Sequence, residues 1–169
     1  EYESLAGIIE FPSDDLKFHT YDEMLSELRQ LERDHPDLAQ VFSIGRSVLG
    51  KEIWGIKING VSSNDADEKP AMVYMGTHHA REHVSTEMPI MLAKKLLSLY
   101  ASDANIRDLI NSTELYIIPM VNPDGAMYDI EGQRYKMWRK NRRQNNGNTY
   151  GVDLNRNYGL DWGFNNSGS

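Results

Sequence analysis

The chain has 169 residues, the length of one domain, with 40% hydrophobic and 25% charged residues and a formal charge of −7. Residues 131–169 hold seven of the bases and three of the acids, a local +4 that leaves −11 on residues 1–130. Most of the chain therefore repels phosphate, which argues against a nucleic-acid binder. No apolar run approaches the ~20 residues of a membrane span, and the lack of cysteine excludes disulfides, thiolate zinc sites and thiol nucleophiles.

In chain order, residues 1–19 read as an ordered arm with turn formers at Pro12, Ser13, Asp14 and Asp15. Thr20 and Glu23 fit a capping box, and Met24, Leu25, Leu28 and Leu31 share a helical face that ends at His35-Pro36. Two strands follow, 41–44 and 53–58, joined through Gly45 and the Leu49-Gly50 turn, with Trp54, Ile56 and Ile58 alternating. The polar stretch 62–70 reads as a loop. Its Asp65, Asp67 and Glu68 offer oxygen ligands for calcium, although a solvated surface loop is the favoured reading.

Ala71–Met75 reads as a short apolar strand ended by Gly76-Thr77. A helix is expected over about 84–100, capped by Ser85 or Thr86, with Met88, Leu92, Leu96 and Tyr100 on its buried face. A shorter helix around 105–111 precedes a strand at 115–119, and from Asn122 onward the chain reads as mostly loop, ending in a flexible tail at 165–169. A hairpin followed by strand–helix–strand, with two strands apolar throughout, predicts the α/β class: a mixed, twisted sheet covered on both faces by helices.

The sharpest local feature is Thr77-His78-His79-Ala80-Arg81-Glu82-His83, directly after an apolar strand. Imidazole and carboxylate are the zinc ligands available when no thiolate is present. In one reading His79 and Glu82 are an H-x-x-E ligand pair and a further histidine comes from far away. In the other, His79 and His83 are both ligands and Glu82 is the base of an H-x-x-E-H pattern. The i,i+4 histidines need an established helix, and Gly76-Thr77 places this segment at a helix entrance, which favours the first reading. Three weaker features follow: Asn122-Pro123-Asp124-Gly125, which reads as a turn; Trp138-Arg139-Lys140 in the basic cluster; and Asp153-Leu154-Asn155-Arg156-Asn157, where a guanidinium fork beside amides suits a carboxylate.

Together and in this order, the segments resemble the zinc carboxypeptidases of the carboxypeptidase A/B and T types. His79-Ala80-Arg81-Glu82 matches the H-x-R-E zinc motif, Asn122–Gly125 the N-P-D-G turn, Trp138–Lys140 the W-R-K segment and Asp153–Asn157 the D-x-N-R-N segment. Tyr21–Met24 and Ser43–Ser47, followed by Gly50-Lys51, are similar to the bacterial carboxypeptidase T branch. The resemblance runs from about residue 10 to the end, and it implies that His83 is not a ligand.

The resemblance also implies roles. His79 and Glu82 bind one Zn²⁺, Arg139 polarises the scissile carbonyl and stabilises the oxyanion, Asn155 and Arg156 hold the free C-terminal carboxylate of a peptide substrate, and Arg81 contacts the peptide further along the cleft. Lys136 stands where pancreatic members often carry Arg. The family's third zinc ligand and general base match nothing here, since the other histidines are His19, His35, His78 and His83. The chain is therefore expected to be the N-terminal part of a single catalytic domain, lacking its C-terminal strands and helices. It should be inactive alone, expose unpaired edges at 71–75 and 115–119, and call for a complementary C-terminal fragment. A secreted or periplasmic location is implied too. A related zinc amidohydrolase (a cell-wall peptide amidase or deacylase) and a non-catalytic carboxylate-binding module are the alternatives.

Overall fold

The computed structural model describes residues 9–60, 69–160 and 162. Asp65, Asp67 and Glu68, the calcium expectation, and the tail 165–169 lie outside the described residues.

The first helix, α1 (Tyr21–Asp34), begins as the sequence dictates. The Thr20 hydroxyl accepts from the Glu23 N–H, and the Glu23 carboxylate accepts from the Thr20 N–H at 2.9 Å, so each satisfies a donor that the first turn leaves free. Tyr21, Met24, Leu28 and Leu31 form its buried side. The hairpin strands are longer than the apolar signals: β1 (Ala39–Arg46) and β2 (Glu52–Ile58), paired antiparallel with an irregularity between Ser43 and Arg46. Strand β3 (Ala71–Met75) is followed by α2 (Val84–Leu99), α3 (Ala104–Ser112), β4 (Glu114–Ile118) and α4 (Pro123–Ile130). The sheet is mixed, in the order β1-β2-β4-β3, with β4 antiparallel to β2 and parallel to β3.

The register sets the core. Ile56 faces Ile117 and Ile58 faces Leu115, all on one side of the sheet and all essentially buried. Leu28 and Leu31 of α1, Ala93, Leu96 and Leu97 of α2 and Ile110 of α3 close over that side. Each such side chain contributes roughly 1.5–3 kcal/mol by leaving water. The other side presents Phe42 edge-on to Tyr116, and Lys57 bonded to Glu114 at 2.5 Å, all partly exposed. A second cluster, with Phe11, Met24, Ile90, Met120, Met127 and Ile130, joins the arm, α2 and α4 beside the site.

Four expectations change. The segment after Asn122 opens with a helix, α4, because Asn122 caps it and Pro123 sits at its first position. The start of α2 carries no side-chain cap; the Ser85 hydroxyl instead donates to the Glu82 carbonyl and accepts from the Thr77 N–H. Met88 is 60% exposed, and the buried stripe runs through Thr86, Pro89, Ile90, Ala93, Leu96 and Leu97. Of the two strands expected at an edge, only β3 is one, with Met72, Val73 and Met75 exposed; β4 is paired on both sides.

The capping box has a pH signature. The Glu23 carboxyl lies below its ordinary 4.5, first because the Thr20 N–H donates to its charged form. That contribution is present above pH 4.5 and is lost as pH falls through the lowered folded value. Urea unfolding should therefore show Glu23→Ala less stable than the native chain near neutrality, with the gap closing in acid. A gap unchanged between neutral and strongly acidic pH would show that the box carries no charge-dependent stability.

Candidate active site

The site lies at the carboxyl ends of the parallel pair β3 and β4, where α/β sheets form their crevices. A close backbone crossing starts it. The Gly76 N–H donates to Ile118 and its carbonyl accepts from Val121, while a Cβ on Gly76 would come within 2.1 Å of the Ser85 carbonyl oxygen. Thr77 then takes φ 52°, a left-handed conformation costly for a β-branched residue. It is held there by the Ser85 hydroxyl on its N–H, by Thr86 at 2.5 Å on its own hydroxyl, and by the Pro119 carbonyl.

Residues 78–83 form a turn ahead of α2. The Glu82 N–H donates to the His79 carbonyl, and the turn sets His79 Nδ1 3.0 Å from Glu82 Oε1. The far side of the ring, Nε2, donates to Asp153 Oδ1 at 3.0 Å. The other oxygen, Oδ2, accepts from Arg139 Nε at 2.9 Å, and Arg139 Nη1 lies 3.7 Å from Glu82 Oε1. Four side chains from three distant segments thus form one cluster. Burial works to raise the Asp153 carboxyl, but the bonds and charges of Arg139 and His79 outweigh it and hold the group below the ordinary carboxylate range.

His83 stands apart. It is buried, and its Nε2 bonds Asp129 Oδ2 at 2.9 Å, so the structure does not bring His79 and His83 together. Asn155 and Arg156 sit two and three residues past Asp153, which accepts from the Asn155 N–H at 3.1 Å; both are exposed, and Arg156 Nη1 turns back to the Asn155 carbonyl. Arg81 is exposed, 3.5 Å from the Met137 carbonyl. His78 hydrogen-bonds Tyr158, and burial, then the charge of His79, lowers its pKa.

The basic cluster divides. Arg139 belongs to the site, whereas Arg142 stacks 3.6 Å from the Tyr128 ring centroid and within 5.0 Å of those of Trp138 and Tyr150. Lys136 pairs with Glu131 at 2.5 Å and lies over Tyr128. These two bases pack their loop against Tyr128 of α4. The N-P-D-G segment also does more than turn. The buried Asn122 amide donates to the His78 and Lys140 carbonyls while its oxygen caps Gly125, so one side chain clamps the two chemical segments. A Cβ on Gly125 would meet the Lys140 carbonyl oxygen at 2.5 Å.

The zinc carboxypeptidase family model matches residues 24–169. The chain belongs to the zinc carboxypeptidase family. It is 40% identical over 157 residues to a zinc carboxypeptidase of Saccharothrix mutabilis subsp. capreolus, covering 93% of this chain and 36% of that protein. It is 36% identical over 146 residues to metallocarboxypeptidase A of Trichophyton tonsurans, covering 86% of this chain and 34% of the relative. Among solved structures, carboxypeptidase A from Helicoverpa armigera superposes with a TM-score of 0.73 at 34% identity, over 90% of this chain and 36% of the other. Thrombin-activatable fibrinolysis inhibitor gives 0.75 at 28% identity, over 86% and 35%. The chain thus spans about a third of the length of the curated relatives it matches.

Membership in a zinc carboxypeptidase family implies a zinc ion, and the donors fit part of its shell. Two ligand atoms of one tetrahedral zinc stand about 3.3 Å apart, close to the 3.0 Å between His79 Nδ1 and Glu82 Oε1. The carboxylate on Nε2 is the partner a ligating imidazole usually has. Among the described residues no group of three or more such side chains is placed to hold a metal. No helix of the described residues is long and apolar enough to cross a membrane.

Asn122→Ala would remove the cap of α4 and the donor for two carbonyls. A lost cap costs about 1 kcal/mol and an orphaned buried group about 1–3 kcal/mol. Urea unfolding of the variant should lose about 2–4 kcal/mol on those terms; a loss below about 0.5 kcal/mol would mean that the clamp is dispensable.

Proposed function

We propose that this chain is the N-terminal part of the catalytic domain of a zinc-dependent carboxypeptidase that removes C-terminal amino acids from peptides. The observation that carries the reading is the cluster in which Asp153 joins His79 to Arg139 beside Glu82. His79 Nδ1 and Glu82 are the two zinc ligands this chain supplies, the third ligand and the general base coming from chain beyond residue 169. Bound zinc supplies a Lewis acid that polarises the scissile carbonyl and activates the attacking water.

The remaining steps belong to side chains. Asp153 orients Arg139 through Nε, leaving the Nη donors for the oxyanion that develops on the carbonyl, a preorganised charge where it is worth most. Asn155 and Arg156 hold the terminal carboxylate by charge-assisted bonds, which makes the enzyme an exopeptidase. Arg81 binds the peptide upstream. The protein acts outside the cytoplasm, secreted or periplasmic. Residues 1–169 alone have no turnover, and a complementary C-terminal segment pairs with the exposed β3 edge and completes the site.

In the full-length protein, His79→Ala should abolish zinc retention by metal analysis, while His83→Ala keeps it. Equal loss from both would revive the H-x-x-E-H assignment. The arginines should separate by kinetics. Arg156→Ala should raise KM and erode the preference for a free C-terminus, whereas Arg139→Ala should chiefly lower kcat, by about 10²–10³-fold. Peptides with amidated C-termini cut as fast as free ones by the native enzyme would overturn the exopeptidase reading in favour of an amidohydrolase.

A further inference from the structure

The H-x-x-E reading gives His83 no task, yet it is 6% exposed and bonded to Asp129, which is wholly buried. A carboxylate taken out of water is costly unless all its oxygens are occupied. Asp129 meets that condition in a directed way. Oδ2 accepts from His83 Nε2 at 2.9 Å, and Oδ1 accepts from the Trp138 N–H at 2.5 Å. The backbone carbonyl of Asp129 accepts from the Lys136 N–H at 2.8 Å, so the same residue grips the loop twice. Between the two grips lies Met137 at φ 58°, a conformation that needs outside support.

The partners of Asp129 are the immediate neighbours of the site residues. His83 follows Glu82, and Trp138 precedes Arg139. The His83 ring is fixed in turn, edge-on to Phe11 at 4.9 Å and inclined to Tyr135 at 5.5 Å, and the Tyr135 hydroxyl donates to Asp15 at 2.8 Å. A pair that served stability alone could be replaced by apolar side chains with little loss. Its value here lies in what its ends are attached to.

We propose that His83 and Asp129 are positioning residues that set the Arg139 guanidinium against the His79–Glu82 pair. This rests on the carboxypeptidase reading for its kinetic part only. Asp153 fixes Arg139 through its side chain, and Asp129 fixes the backbone from which that side chain departs. Both carboxylates bridge a histidine of the 79–83 turn to the 138–139 segment.

The test uses the full-length protein with Asp129→Ala, Asp129→Asn and His83→Phe, the last keeping an aromatic ring against Phe11 and Tyr135. Displacing a catalytic group by a fraction of an ångström to an ångström costs about 10–100-fold. Asp129→Ala should lower kcat by about that factor, with KM and zinc content close to native. Asp129→Asn, which keeps an acceptor for the Trp138 N–H, should recover most of the loss. In an Arg139→Ala background, Asp129→Ala should have little further effect on kcat.

A loss of the same size in both backgrounds, or a change confined to KM, would overturn the proposal. If Asp129→Ala does not fold, His83→Phe carries the same comparison. Hydrogen exchange at the Trp138 amide gives a readout independent of activity, faster in His83→Phe than in native protein. An unchanged rate there refutes the positioning role, whereas an inactive native enzyme with faster exchange in the variant counts against the carboxypeptidase reading alone.

Discussion

The site depends on one carboxylate with two different customers. Asp153 arrives from the last described segment of the chain and gives one oxygen to a histidine 74 residues earlier and the other to an arginine 14 residues earlier. Its geometry decides which imidazole nitrogen is committed and which is available, and it also sets the angle of the guanidinium. Breaking one side of such a buried charged arrangement costs far more than the pair adds, typically about 3–5 kcal/mol, because the remaining charge is left without a partner. The apolar core explains why this chain folds; Asp153 explains why the chemical groups meet.

The fold supplies a frame for that meeting by bringing backbones unusually close. Gly76 passes against the start of α2, and Gly125 passes against Lys140, both at distances that exclude a side chain. Asn122 lies against the second of these crossings and bonds the carbonyls of His78 and Lys140, joining the two segments. The three segments are therefore not independent loops decorating a sheet. They form one hydrogen-bonded body, seated on the ends of β3 and β4, with Thr77 and Met137 held in left-handed conformations where the chain enters it.

Much of this was legible in the residues, for reasons that differ from place to place. Thr20 and Glu23 announced α1 because a capping box is local chemistry, and Trp54, Ile56 and Ile58 announced β2 because alternation needs no partner to be seen. The face of α2 was misjudged because stepping by four drifts around a helix of 3.6 residues per turn, which carries Met88 out of the buried stripe. The interior position of β4 could not be read, since strand order is a property of the assembled sheet. The start of α4 was present in the signals for a cap and a first-position proline, but the same residues also spell a turn. Within the site, the resemblance drew attention to His79, Glu82 and the arginines, and gave no role to Asp153, Asp129 or Asn122, which bond them or their neighbours. Asp129 could have been suspected, because an aspartate set among Ala126, Met127, Tyr128 and Ile130 must either face water or find partners.

The aromatic stacking around Arg142 bears on how such a chain resists proteolysis. Between residues 134 and 143 lie six lysines and arginines, any of which is a cleavage point for a trypsin-like protease once the backbone opens. Digestion requires local unfolding, and exposed polar loops usually provide it at little cost. Here Arg142 is packed against three rings, Lys136 is ion-paired over Tyr128, and Arg139 is bonded into the centre of the site. Opening the segment therefore means dismantling the stack and the cluster of His79, Glu82, Arg139 and Asp153 together, so the contacts that arrange the candidate site also shield its most digestible stretch.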